Sequence, residues 1–408
     1  MSTATREAAG PGGARRPRIR RASWRGVVTV AGHEFRLRVR TGRWRWLLGA
    51  WFAVLLAFTA LLRWALAETR PTPVTGPVPG PGAADVPPPA PLGTPMLGGL
   101  MLFVLGLALL VVPALTAQSV NGDRERGVLA TLQVTLLTPA EIALGKLLAA
   151  WLTALVFLAT TLPLVVWVMV EGGVGIARVV VTLLVVALLL GVMCAVAQCL
   201  SALLARTTTS AVLSYLTVFA ATVGTVVVFA LALPLTTTTE QVTERVPVWD
   251  DPPPGEAPGG PADRHAPPPH PPGQGEPDRW ETRTYERSQV RPERVWWLLA
   301  PNPFVILADA APAAEPRFDP RTGERLSNPL DPLGEIATAV RDARASEDPQ
   351  AVPGIVPSGP EQPEPPRPDP VWPYGLAFDV LLAAGAIALT IRRLRTPVRS
   401  LPRGVRIA

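Results

Sequence analysis

Six apolar runs, each about the ~20 residues a helix needs to cross a hydrocarbon core of ~30 Å, constrain this chain more than any other feature. They cover residues 46–66, 96–118, 144–170, 176–204, 210–235 and 372–391, are rich in Leu, Val and Ala, and carry few charges. Lipid offers no partner to an open sheet edge, so each run is expected to be an α-helix that satisfies its own backbone. Composition agrees, because 48% of the residues are hydrophobic and only 17% are charged, a balance typical of a polytopic membrane chain. The expected fold class is therefore an all-α polytopic membrane protein with six transmembrane helices. Pro113, Pro163 and Pro234 lie within or near the ends of spans 2, 3 and 5 and are read as kinks.

Arginine sets the expected orientation, because cytoplasmic flanks collect positive charge. Residues 1–45 carry 12 Arg against Glu7 and Glu34, a net of +10, and the tail 392–408 adds Arg392, Arg393, Arg395, Arg399, Arg403 and Arg406 with no acid. Residues 236–371 instead hold 13 Arg against 23 Asp and Glu, a net of −10. Both termini are thus expected inside and the long acidic loop outside, which six spans satisfy. Ala65-Leu66-Ala67 matches a signal-peptidase site, but the basic region before span 1 is far longer than a signal's, so span 1 is expected to stay.

The outer segments 67–95 and 246–278 are too rich in Pro and Gly for a packed core and are expected to be extended or disordered. Within 236–371 the apolar segment 294–310 is too short and too Pro-broken to span. It is expected at the outer interface or as a re-entrant turn, with Trp296 and Trp297 at headgroup depth. One short helix is expected near 332–345, and no larger independent domain.

Residues 1–22 read as a disordered basic tail. Over 23–45, Trp24, Val27, Val28, Ala31, Phe35 and Val39 recur at helical spacing, opposite Arg25, His33, Arg36, Arg40 and Arg43. That pattern suits an interfacial amphipathic helix with its arginines at anionic headgroups. Anionic lipid, not nucleic acid, is the partner this charge implies, since the arginines flank spans and form no nucleic-acid motif.

Residues 119–143 form a charged hairpin between spans 2 and 3. Asp123, Arg124, Glu125 and Arg126 make a polar cluster, and Val128, Leu129, Leu132 and Leu136 share one face of a short helix. Thr138-Pro139-Ala140-Glu141 is a capping box: Thr138 caps, Pro139 suits the first helical position and Glu141 reaches back. Span 3 should therefore begin at Pro139, after a sharp elbow. A plain interfacial helix before an ordinary span has the same periodicity, which alone does not separate the two.

This stretch resembles the signature loop of type-2 ATP-binding-cassette exporter permeases, Glu-Arg-x-x-Gly-Thr-Leu-Glu-x-Leu-Leu-x-Thr-Pro, followed by Glu and then Gly-Lys. The matching residues are Glu125, Arg126, Leu129, Thr131, Leu132, Leu136, Thr138, Pro139, Glu141, Gly145 and Lys146. Lys146 is the only lysine in a chain that otherwise uses arginine. The chain departs from the pattern at Gly127 and Ala130, and at Gln133, where many members carry Glu. The resemblance extends to an N-terminal interfacial helix, six spans, a coupling helix between spans 2 and 3, and an Asn-Pro-Phe stretch before span 6.

The resemblance implies a transporter permease, an exporter by family analogy, driven by a separate ATPase subunit. That subunit would dock on Asp123, Arg124, Glu125, Arg126, Gly127, Leu129, Thr131, Leu132 and Leu136. It also implies a second permease copy, and Thr138, Pro139, Glu141, Gly145 and Lys146 as cap and elbow of the coupling helix. The chain holds no Gly-x-x-x-x-Gly-Lys-Ser/Thr loop, so no cofactor is expected on it, ATP and Mg being bound by the partner. Its heavy use of Arg, Ala, Pro and Val suits a GC-rich bacterial genome, hence a bacterial plasma membrane.

Other chemical signals are sparse. His265 and His270 lie in a Pro-rich loop and make no convincing metal site. Cys194 and Cys199 fall on different sides of span 4 and read as packing residues. Asp379, about seven residues into span 6, is the one acid clearly inside a span and a functional candidate by default; pairing with Arg63 or Arg178 near the outer boundary is the alternative. Gln198 either lines a pathway or bonds across to a neighbouring helix. Beside the permease stands a second class, a non-transporting scaffold acting through the Pro-rich outer loop. Deleting 246–278 separates the two, since only the scaffold needs that loop.

Overall fold

The six apolar runs form helices long and apolar enough to cross a membrane: Trp44–Glu68, Gly93–Thr116, Pro139–Val170, Ile176–Leu203, Thr207–Thr236 and Trp372–Leu394. A computed structural model describes residues 23–40, 42–69, 90–116, 119–122, 138–204, 206–248, 279–314, 317–318, 325–326, 330–345 and 369–395. The protein is an all-α polytopic membrane protein, to which two antiparallel strand pairs are added among the described residues.

The N-terminal helix α1 (Trp24–Val39) is followed after two residues by α2 (Gly42–Glu68). Span 2 is α3 (Gly93–Thr116), and Pro113 stays inside that helix near its last turn. Span 3 is broken into α4 (Pro139–Ala159) and α5 (Leu162–Val170), with Pro163 in the first turn of α5. Proline cannot donate to the turn before it, and Thr160 and Thr161 turn their hydroxyls onto the carbonyls of Phe157 and Leu158, both at 2.6 Å. Span 4 is α6 (Ile176–Leu203).

Span 5 is the least regular. Helix α7 (Thr207–Phe219) passes through a π-helical turn at Ala220–Gly224 into α8 (Thr225–Ala232), and Pro234 sits in a closing 3-10 turn, Leu233–Thr236. The last span is α11 (Trp372–Leu394).

Helix α3 runs through the centre. Met96, Leu97, Leu100, Met101, Val104 and Leu105 are wholly buried, facing a core that includes Val186, Leu189 and Leu190 of α6. Trp44 and Trp51 of α2 meet Phe157 of α4 edge-on at 5.2 and 5.1 Å. By contrast, only 6% of the most apolar window of span 5 is buried, against 61% for α3, so span 5 is a peripheral helix. Lipid tails are as apolar as Leu, so Leu packing in such a bundle gains dispersion and little hydrophobic free energy. Polar groups at helix ends therefore weigh more than in a water-soluble fold.

The segment between spans 5 and 6 departs from expectation. Strands β1 (Thr238–Val248) and β2 (Arg279–Gln289) pair antiparallel over eleven residues each, from Thr238 opposite Gln289 to Val248 opposite Arg279. The Pro-rich stretch from 246 is expected to be extended or disordered; Val246, Pro247 and Val248 are extended and close this ladder. Alternating Thr, Val and charged residues explain it, since β-branched side chains suit a pleated ribbon. Short strands β3 (Arg317–Phe318) and β4 (Arg325–Leu326) pair nearby in sequence. The apolar segment after β2 makes two 3-10 turns, Pro292–Arg294 and Trp296–Leu298, then α9 (Pro303–Ala310). Ile306 and Leu307 are wholly buried in the main core, so α9 tucks into the bundle. Helix α10 (Pro332–Arg344) packs across α9.

Candidate functional site

The elbow residues converge on one joint between the N-terminal helix and the start of span 3. The local part is the capping box. Glu141 N donates to Thr138 Oγ1 at 3.3 Å, while Thr138 N and Oγ1 donate to Glu141 Oε2 at 2.6 and 2.9 Å. With Pro139 in the first turn, α4 begins there.

The other oxygen of Glu141 reaches across the fold. Glu141 Oε1 accepts from both Ser23 N and Ser23 Oγ at 2.7 Å, and Ser23 Oγ in turn accepts from Gly26 N at 3.2 Å. One carboxylate thus serves the N-termini of two helices, where orphan N–H groups and the helix dipoles both favour negative charge. Its donors are all neutral groups.

Two glycines allow the approach. A Cβ on Gly26 would lie 2.6 Å from Glu141 Oε1, and one on Gly145 would lie 2.6 Å from Val30 Cβ and 3.0 Å from the Val27 carbonyl. Gly145, placed by resemblance in the elbow, therefore makes the surface on which α1 lies. One residue on, Lys146 is buried and its Nζ meets Glu34 Oε1 of α1 at 2.5 Å.

The face that α1 buries overlaps only in part with the apolar set of its periodicity: Val27 and Ala31 belong to that set and Val30 does not. Val27, Val30 and Ala31 are buried, while Trp24, Val28, Leu37 and Val39 remain exposed. An isolated amphipathic helix would show one apolar face to lipid. Here Val30 packs onto α4 at Gly145, where the Val27 carbonyl also comes close, so the two backbones meet there.

Asp123, Arg124, Glu125, Arg126, Gly127, Leu129, Thr131, Leu132 and Leu136 lie outside the described residues, as do His265 and His270. Both ends of the hairpin are described, and both are fixed to the bundle. At one end, Val120 N and Asn121 N donate to Ser201 Oγ of α6 at 3.2 Å, and Val120 packs with Ile142, Ala143, Ala202 and Leu394. At the other stands the Thr138, Glu141 and Ser23 joint.

Gln198 bonds across helices: its Nε2 donates to Ala143 O of α4 at 2.8 Å. Asp379 has neither of the partners considered from sequence. Arg63 Nε meets Glu171 at 2.6 Å and Arg178 meets Asp331 at 2.5 Å, so both guanidiniums are engaged by acids that lie in connections between helices. Asp379 itself is 4% exposed. Cys194 and Cys199 are buried and free, and among the described residues no group of three His, Cys, Asp or Glu could hold a metal ion.

Sequence reasoning missed the far end of the bundle. Asp309 Oδ2 accepts from Val371 N and Trp372 N at 2.6 Å, and Oδ1 accepts from Arg341 Nε at 2.5 Å, so a wholly buried carboxylate caps span 6 and clamps α10. Asn302 Nδ2 donates to Thr222 O at 2.7 Å and Thr225 Oγ1 at 2.8 Å, holding the π-helical turn of span 5, while its Oδ1 accepts from Phe304 N at 2.9 Å. Beside that turn lies a groove of about 540 Å³ lined in part by Gly224, Val228, Trp296, Trp297, Tyr374 and Phe378. Only the Asn-Pro pair, a common helix start, signalled any of this. Comparison with protein-family models and with curated proteins returned no match.

Proposed function

We propose that this chain is the membrane-spanning permease subunit of an ATP-binding-cassette exporter. In this reading the α1 end of the bundle faces the cytoplasm of a bacterium, with both termini inside. A separate ATPase subunit, carrying ATP and Mg, docks under residues 122–137, and two permease copies form the pathway.

The observation that supports this most is the joint at Glu141. A hairpin pushed by an ATPase transmits force only if its ends are fixed to elements that can move together. Its first end bonds to Ser201 at the end of α6, and its second bonds through Glu141 and Ser23 to α1, with Lys146 to Glu34 a turn and a half further along. A displacement of the hairpin would thereby reach spans 3 and 4 and the interfacial helix together.

The test is affinity purification of the tagged protein from its own membranes in mild detergent. A nucleotide-binding subunit is expected to co-purify with wild type and to be lost from E125A/R126A, with the variant inserted at normal levels. Absence of any ATPase from the wild-type preparation would overturn the reading.

A further inference from the structure

We propose that Asp379 binds a proton: it is a neutral, proton-carrying carboxylic acid on the buried face of α11, able to exchange that proton with water. It lies on the face of α11 that also carries Gly375, Ala386 and Thr390, all buried. Its Oδ2 is wholly buried and has no hydrogen-bond partner. Taking an isolated carboxylate out of water is among the most costly acts in a fold, and the usual escape is protonation.

The charges that could hold it ionised are engaged elsewhere. On α6, Arg178 is paired with Asp331, and the remaining titratable groups are the free, buried Cys194 and Cys199. On α9, Asp309 is committed to Arg341 and the start of α11. On α4, Glu141 and Lys146 are bound to Ser23, Thr138 and Glu34 at the α1 end. Arg38 of α1 reaches the field of Cys194, and α11 itself adds Tyr374 at its start and Arg392 and Arg393 in its last turn. Thirteen residues, ~20 Å of helix at ~1.5 Å each, separate Asp379 from Arg392.

The ligand follows from the surroundings. A hard metal cation takes six or more oxygens, whereas the buried neighbours on this face of α11 are Gly375 and Ala386, with the next hydroxyl at Thr390. A proton needs only the one carboxyl. About three turns further along the same face, toward the α1 end, Cys199 lies beside Thr390, and the buried Oε1 of Gln198 also lacks a partner.

This inference does not rest on the permease reading and is tested without it. Infrared spectra of the full chain in lipid nanodiscs at neutral pH, wild type minus D379N, should contain one carbonyl band of a protonated acid. That band should shift on transfer to heavy water, and in D379E it should move instead of vanishing, which guards against misfolding of D379N. A difference spectrum with carboxylate bands only would overturn the proposal. So would an acid band that fails to shift after hours in heavy water, since that would mark a sealed structural acid.

Discussion

The two ends of the bundle solve the same problem with different electrostatics. At each, a buried carboxylate caps a membrane helix and ties it to a helix that does not span. Glu141 joins α4 to α1 using only neutral donors, the N–H and hydroxyl groups of Ser23 and Thr138. Asp309 joins α11 to α10 through two backbone N–H groups and a guanidinium. Both carboxylates make charge-assisted bonds, but only Asp309 meets an opposite charge, and cutting one partner of that buried pair strands the other. The far end is therefore a clamp, and the α1 end a joint that can re-form.

Removing the clamp should have the largest effect. D309A leaves Arg341 without its partner and α11 without its cap, for a loss of ~3–5 kcal/mol, read as a lowered unfolding midpoint in detergent. If D309A costs no more than E141A, the contrast between the ends collapses. Next comes G145V, which drives a side chain into Val30 and the Val27 carbonyl. Overpacking of this kind costs ~1–3 kcal/mol, and cross-linking between cysteines placed on α1 and α4 should fall with it.

E141A should cost about 1–3 kcal/mol by leaving donors at two helix starts unmet, with E141Q milder because an amide oxygen still accepts. The same cross-link should weaken in E141A while insertion is unchanged, which sharpens the idea of a joint that can part. The smallest change is S23A, about 0.5–1.5 kcal/mol, seen as faster amide exchange in the first turn of α1 alone. An S23A effect as large as that of D309A would reverse the order proposed for the two ends.

What was legible followed from how far apart in sequence the partners stand. Thr138 and Glu141 are three residues apart, so their box could be read directly. Ser23 is 118 residues from Glu141, and Asp309 is 62 from Val371, and no local pattern marks either pair. The β1–β2 ladder was hidden for another reason: the strands flank a Pro-rich stretch whose composition speaks only for itself. Asp379 shows the limit from the other side, since the sequence marked it as exceptional and nearby arginines offered a plausible pairing. The structure spends both arginines elsewhere.

By itself the sequence determined six helices of membrane length and the place where span 3 begins, because hydrophobic length and end-capping are properties of contiguous residues. Which face of α1 is buried, which acids are paired, how α9 enters the core and what the ends of the hairpin hold were decided only by tertiary structure. Those outcomes depend on which polar groups meet when the helices pack, and a helix does not encode the identity of its neighbour.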